Sequence, residues 1–432
     1  MWTPKLPALA AAVLSVLLGA GFAPPLSAEA EVRAPWIRVT PTSYRVDGGA
    51  TVTSAQPLAE ALRHAEPGST VELEAGTYPV LRLGFGRGPN NADCSGTEVR
   101  PITIQAAHPG PNKPVISAVG KSDALLIDQK APVQHITFKG LVFEPGYRSA
   151  VIFYRQKGDT VHRGFRFLDC DILGGWDHLK AEGPPSKWGV HAHRIADFEW
   201  RGVLRPSVIR DLKNEHAFYL QNIAGDVLIE NVHATRLGRT FVQFTSRSAD
   251  GPQATGDVVV RRNVVRDVCI GAGDAYKGGS AFTVTGNMPK ATFLFEDNSY
   301  RAGFDPALRK LTRKNVPYGT GAFVVWGEKD PVRVGSITLK DNDFRFADGT
   351  GDRPVVALGA AKRVALEGQN TFVAGAFGVA LAVDPPRGSG VPTELPVLKI
   401  TMDPRTECDG RVEWRGKPAP PAKRVEWGLP RE

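Results

Sequence analysis

The sequence predicts an all-β solenoid, a chain wound into stacked coils with a short helix capping its N-terminal end. Three observations predict it. A phrase running hydrophobic–x–hydrophobic–charged–polar returns about every 20 to 45 residues between Ile136 and Asn370, as ITFKGL (136–141), FRFLDC (165–170), VIRDL (208–212), LIENV (228–232), VVRRN (259–263), FLFEDN (293–298), ITLKDN (337–342) and VALEGQN (364–370). Each copy is followed by a second short strand-like run. Glycine is abundant, at 46 of 432 residues, and stretches with helical period are scarce. A supersecondary unit repeated at such spacing cannot bury its apolar face alone and does so by stacking on its neighbours.

The elements follow in order. Residues 1–30 read as an export signal: Lys5, an apolar run from Leu6 to Leu18, then a small-residue segment ending LSAEA, with cleavage expected after Ala28 or Ala30. Pro7, Pro24 and Pro25 interrupt the apolar stretch, which is short for a membrane span. The expectation is a secreted or periplasmic monomer with no membrane attachment after cleavage. Residues 31–56 read as extended and irregular. PLAEALRHA (57–65) reads as a two-turn helix with Pro57 at its start and Leu58, Ala61, Leu62 and Ala65 on one face. PGSTVELEAGTYPV (67–80) carries the alternation of a strand at Val71 and Leu73. RLGFGRGPNNADCSGTEVRP (82–101) is a loop by composition, and PITIQA (101–106) returns to strand pattern.

The helix, the Pro67–Gly68–Ser69–Thr70 turn, the following strand and the Gly76–Thr77–Tyr78 phrase resemble the first turn of right-handed parallel β-helix proteins of the pectin-lyase-like superfamily. The resemblance extends over about 57–385 and implies a right-handed parallel β-helix. That fold hosts lyases, hydrolases, epimerases and inert adhesins, so it does not by itself name an activity. The domain division expected is 1–30 signal, 31–385 β-helix and 386–432 a Pro-rich tail whose short strands pack on the solenoid, with RVEW at 411–414 and 424–427 too close for a further coil.

The second runs read AVIFYR (150–155), GVHAHR (189–194), HAFYLQN (216–222), TFVQFTS (240–246), SAFTVTGN (280–287), GAFVVWGE (321–328), PVVALGA (354–360) and GVALAV (378–383). Period-two alternation turns Val190, Ala192, Phe218, Leu220, Val242, Phe244, Phe282, Val284, Phe323 and Val325 inward. Outward then face Tyr154 or Phe153, His191, His193, Tyr219, Gln221, Gln243, Thr245, Thr283, Thr285 and Trp326. The last two runs lose this polar and aromatic strip, as expected where protein covers them. Long insertions at 174–188, 246–257, 271–279 and 301–320 would line the strip. Asn263, Asn298, Asn342 and Asn370 recur at one turn and read as an architectural column.

Candidate chemistry concentrates on this strip. Five of the nine histidines fall between His178 and His233. His193, His216, Tyr219, Arg239 and Lys277 are the candidate catalytic residues. Tyr154, His191, Gln221, Gln243, Arg247 and Trp326 are the candidate substrate-binding residues. An enzyme that cleaves an acidic polysaccharide by β-elimination must neutralise a uronate carboxylate, remove the C5 proton and protonate the leaving oxygen. Arg and Lys serve the first need, and His, Tyr, Lys or Arg the others. The β-helix lyases resembled use Lys or Arg as base, sometimes with Ca²⁺. Their motifs find no residue-by-residue match here, and Asp169 and Asp171 read as turn residues, so Ca²⁺ is left open and no metal ligands are assigned. A hydrolase needs two carboxylates about 5–9 Å apart, and the strip shows no obvious pair, although Glu215 and other loop acids could reach it. An Asp-Pro-His-Asp phrase of alginate-type epimerases is absent, FDPAL (304–308) offering only Asp-Pro. The expected function is therefore a polysaccharide lyase acting on a uronate-containing polysaccharide or oligosaccharide, with a glycoside hydrolase and a non-catalytic carbohydrate-binding solenoid as alternatives. The net charge of +8 is spread along the chain, with neither a basic stripe nor a nucleic-acid module. Of Cys94, Cys170, Cys269 and Cys408, Cys170 sits at a core position, and a Cys94–Cys408 disulfide is left open.

Overall fold

The computed structural model describes the chain from residue 34, except 87, 89, 129–132, 155–160, 176–187, 214, 247–253, 270–279, 287, 304–320, 327–333, 348–350, 352, 384–396, 398, 415–416, 419–425 and 429–432. The expected signal segment and the residues Arg247 and Lys277 lie outside the described residues. No helix among the described residues is long and apolar enough to cross a membrane.

The chain winds through three long sheets, here A, B and C, in that order in each coil. One coil contributes Ile136–Lys139 to sheet A, Val142–Glu144 to sheet B and Ser149–Phe153 to sheet C. Successive coils pair in parallel on all three sheets, as Ile136 with Phe165, Val142 with Asp171 and Val151 with Val190 illustrate. The result is a parallel β-helix, right-handed as parallel crossovers are in nearly all sheets. Most copies of the sequence phrase hold a sheet A strand and the turn after it, and the sheet B strand follows directly, as Val142–Glu144 follows ITFKGL across Gly140–Leu141. VIRDL falls on sheet B, within Ser207–Leu212, and the sheet A strand of its coil is Phe198–Arg201.

The inward residues named above are buried throughout: Val190, Ala192, Phe218, Leu220, Val242, Phe244, Phe282, Val284, Phe323 and Val325 all lie in the core. Stacking places like side chains one coil apart, about 4.8 Å. Phe138, Phe167 and Trp200 occupy one register column. Their rings stack at 4.9 Å and 13°, then 4.7 Å and 15°. The asparagine column is equally ordered. Asn263 Nδ2 donates to Asn298 Oδ1 at 2.9 Å, Asn298 Nδ2 to Asn342 Oδ1 at 3.1 Å and Asn342 Nδ2 to Asn370 Oδ1 at 3.2 Å. All four are buried, so the column satisfies turn groups that water does not reach.

Both ends differ from the sequence expectation in detail. The helix is Pro57–Leu62, with Leu58, Ala61 and Leu62 buried against the first strands. It stops there because the N–H groups of Arg63, His64 and Ala65 bond three residues back, to Glu60, Ala61 and Leu62, tightening the last turn. The segment read as irregular holds Trp36–Thr40, parallel to Thr70–Leu73, followed by the antiparallel strands Ser43–Val46 and Val52–Thr53. Antiparallel pairing continues sheet A outward past the first coil. At the other end the repeat runs one coil further than the expected boundary at 385. Lys399–Met402, Glu407–Asp409 and Arg411–Trp414 join sheets A, B and C in parallel. This coil was hidden because it lacks insertions and its strands carry few large apolar residues. Lys417–Pro418 and Glu426–Gly428 then pair antiparallel on sheets C and A, so only the second RVEW lies beyond the coil. All four cysteines are free thiols, Cys170 being fully buried, so Cys94 and Cys408 do not form the disulfide that was left open.

Candidate functional site

Sheet C positions the candidate residues. His191, Tyr219, Gln243 and Thr283 occupy one register row, and His193, Gln221, Thr245, Thr285 and Trp326 the next outward row. His191, Tyr219, Gln221, Gln243 and Trp326 are half-buried, whereas Thr245, Thr283 and Thr285 are buried although they face outward. Further along, Trp326 packs against the buried Val324 and Ala357.

The centre of the site is an aromatic cluster around Trp188, the first residue of the strand Trp188–His193. The indole stacks on His191 at 4.5 Å and 18° and on His216 at 5.3 Å and 28°. Tyr219 lies 5.0 Å from Trp188, 5.3 Å from His191 and 4.9 Å from His216, ring centre to ring centre. Gly189 permits this packing. A Cβ there would stand 2.3 Å from the carbonyl oxygen of Ala217, so any side chain would force the two strands apart.

Hydrogen bonds give the cluster a direction. Gln221 Nε2 donates to the Tyr219 hydroxyl at 3.1 Å. Gln221 Oε1 faces His191 Nε2 at 3.4 Å. With the proton on Nε2, His191 carries its lone pair on Nδ1. Burial lowers the His191 pKa, opposed by the bond to Gln221 and assisted by the Arg148 charge, which favours the neutral ring.

His216 is deeper. Its Nδ1 lies 3.3 Å from Glu215 Oε2 and its Nε2 lies 2.8 Å from Gln243 Oε1. Burial lowers its pKa, with Glu215 opposing and Arg239 assisting. A neutral ring has one N–H, which the Glu215 carboxylate takes at Nδ1. The Gln243 amide then serves Nε2 with its nitrogen, the flipped assignment of the same amide. His216 is only 2% exposed, so it orients Tyr219 and Gln243 rather than meeting a solute.

Cations flank the cluster. Arg239 Nη1 stands 3.7 Å from Glu215 Oε2, and Arg148 grips Asp123 through Nε at 2.9 Å and through Nη2. Both guanidiniums remain about two-fifths exposed. Trp188, Arg148 and Asp123 are not among the candidates from sequence, and Glu215 is named there only as a loop acid that could reach the strip. Glu215 was legible as a loop acid beside His216, and Trp188 as the end of a loop. The Asp123–Arg148 pair joins neighbouring coils and leaves no local signature.

Two candidates stand apart. Tyr154 follows its strand and is 45% exposed, while Phe153 is inward and buried. His193 is buried, with its Nε2 3.1 Å from Asn222 Nδ2, and it neighbours the buried His162 rather than joining the aromatic cluster. His162 Nε2 donates to the Tyr154 carbonyl at 3.2 Å, and its Nδ1 is buried without a partner. Burial pushes the His162 pKa from 6.5 to about 4, with His193 adding to the shift. Because the folded pKa is depressed, the neutral ring stabilises the fold fully above about pH 6.5, and that contribution is lost as pH falls toward 4. The loss is roughly 3 kcal/mol. Urea midpoints of the wild type are expected to fall more steeply over this window than those of His162→Phe, and equal slopes would contradict the assignment.

Among the described residues no group of three or more His, Cys, Asp or Glu side chains gathers as a metal-ligand set. No protein-family model matches the chain, and no curated protein matches it in sequence. Solved structures similar to it include an alginate lyase from Paenibacillus sp. str. FPU-7, at 14% identity over 70% of this chain and 95% of that one, TM-score 0.37. They include a PL6 family polysaccharide lyase from Pseudopedobacter saltans, at 11% identity over 89% of this chain and 87% of that one, TM-score 0.38. The Azotobacter vinelandii mannuronan C-5 epimerase A-module is similar at 14% identity over 79% of this chain and 91% of that one, TM-score 0.36. These values carry no residue-level correspondence, and the chemistry of sheet C stands on its own side chains. The chain is a parallel β-helix, and the solved structures similar to it include polysaccharide lyases and an epimerase.

Proposed function

We propose that the protein is a polysaccharide lyase that cleaves a uronate-containing glycan by β-elimination on the outward face of sheet C. The observation that carries this reading is the chain His191–Gln221–Tyr219, in which a neutral imidazole and a phenol are held on the open face by one amide.

Elimination removes the C5 proton of a uronate and breaks the bond between C4 and the glycosidic oxygen, leaving a C4–C5 double bond. His191 Nδ1 accepts the C5 proton. The Tyr219 hydroxyl, which accepts from Gln221, gives its proton to the departing oxygen. Return of the proton from His191 to Tyr219 through solvent resets the pair. Arg239 and Arg148 supply the positive charge that a uronate carboxylate needs as electrons move toward it. His216 and Trp188 position the phenol. This sharpens the sequence expectation, in which His193, His216 or Tyr219 exchanged protons, toward His191 and Tyr219. Hydrolysis is less well supported. Glu215 is the acid in the cluster, and it is already engaged by His216 and Arg239.

The test is a panel of polymeric uronates, including alginate, polygalacturonate and glucuronate-containing glycans, followed by ultraviolet absorbance of the unsaturated product. Absorbance growing with reducing ends is the expected result. Reducing ends without absorbance would replace elimination by hydrolysis, and silence in both assays would leave sheet C a binding face.

A further inference from the structure

A second concave site lies away from sheet C, along the turns that join sheets A and B. Two of these turns, 140–141 and 169–170, are two residues long, and they are bracketed by longer turns at 107–114 and 202–206. The four belong to successive coils. The short turns form a floor and the long turns two walls, three coil steps or about 14 Å apart. The notch holds about 420 Å³, within the size range of ligand clefts.

The floor is built rather than incidental. Asp169 sits at φ +54°, a left-handed turn position that Asp tolerates. Its Oδ1 accepts the N–H groups of Val203 at 2.6 Å and Leu204 at 2.9 Å, which ties one wall to the floor. Its Oδ2 is buried and has no hydrogen-bond partner, although the residue lines the notch. Beside it the buried Lys113 donates to the Asp169 carbonyl and, at 3.0 Å, to Asp171 Oδ2, which Arg205 also grips. Lys113 and Arg205 are thus committed to Asp171, and Asp169 keeps one unfilled acceptor. An unmet buried carboxylate oxygen is costly to the fold, and a donor from outside would recover that cost. The walls are apolar at Pro109 and at Leu204, which is 75% exposed. At the rim Lys139 makes no ion pair among the described residues.

We propose that this notch is a second glycan-binding site, distinct from the face of sheet C. It takes a pyranose whose hydroxyl donates to Asp169 Oδ2, whose ring rests against Pro109 and Leu204, and whose carboxylate meets Lys139. The demand for a donor, an apolar face and an anionic substituent together describes an acidic sugar. The choice of a uronate rests on the elimination reading, whereas the notch and its unfilled acceptor do not. Such a site would hold a polymer on one side of the β-helix while another stretch is processed on sheet C.

Leu204→Trp places a fluorescent reporter on the wall. Titration with tetragalacturonate is expected to change its emission saturably, beyond the change seen in the wild type. Asp169→Asn keeps the Oδ1 acceptor and the turn but puts a donor where Oδ2 was. In the Leu204→Trp background it is expected to weaken this binding at least tenfold while kcat/KM for elimination of tetragalacturonate, too short to occupy both sites at once, stays unchanged. Lys139→Ala, an exposed change that leaves the fold alone, is expected to weaken it several-fold. A non-saturating signal, or equal affinity with and without Asp169→Asn, overturns the proposal. Saturable notch binding without any elimination would sink the lyase reading and leave this site standing. Elimination without notch binding would sink this site alone.

Discussion

Replacing Tyr219 by Phe is expected to lower the rate of β-elimination by about 10²–10³-fold, in the range of a lost general acid. The change removes one oxygen and keeps the ring, so the contacts with Trp188, His191 and His216 survive. Gln221 Nε2 loses an acceptor on the open face, where water replaces it. The fall is expected in kcat with little change in KM, because the hydroxyl acts on the departing oxygen rather than in holding the glycan. His216→Ala is expected to slow the reaction less directly, by releasing Tyr219 and Gln243. A Tyr219→Phe enzyme with more than half of the wild-type kcat would remove the phenol from the chemistry.

Asn298→Leu is expected to cost about 4 kcal/mol of stability, as several buried groups lose their partners at once. Asn298 Oδ1 accepts from the backbone N–H of Asn263 at 3.2 Å and from Asn263 Nδ2 at 2.9 Å. Its own Nδ2 donates to the carbonyl of Val260 at 2.8 Å and to Asn342 Oδ1 at 3.1 Å. Leucine keeps the branching at Cγ but satisfies none of these bonds and is bulkier, so lost hydrogen bonds and crowding act together in this buried column. Urea denaturation monitored by far-ultraviolet circular dichroism measures it. Each coil contacts only its neighbours, so the transition is also expected to broaden. A loss below about 1 kcal/mol would mean that the column is decorative.

The parallel coils were legible because alternation and spacing are local properties of the chain. Sheet C was read with the correct inward residues, and the four asparagines were recognised as a column. What escaped was whatever depends on the third dimension. The sheet B strands are short and begin directly after a turn as brief as Gly140–Leu141, so the sequence does not set them apart. The last coil escaped because Glu407–Asp409 and Arg411–Trp414 offer little apolar patterning. Within the site, Tyr219, Gln221, His191, His216, Gln243 and Arg239 were all named and are brought together. Their roles were not legible. Alternation places His193 outward like His191, yet it is buried with Asn222 while His191 stays half-exposed. Arg148 and Asp123 are brought together only by the stacking of their coils.

The central claim is that the amide-linked His191 and Tyr219 on sheet C carry out an elimination. Its most direct test is the ultraviolet absorbance of the products formed from the uronate panel by the wild type and by Tyr219→Phe, measured side by side with reducing ends. The account predicts absorbance and reducing ends rising together in the wild type and both nearly abolished in the variant. Reducing ends without absorbance, or absorbance that persists undiminished without the phenol, would contradict it.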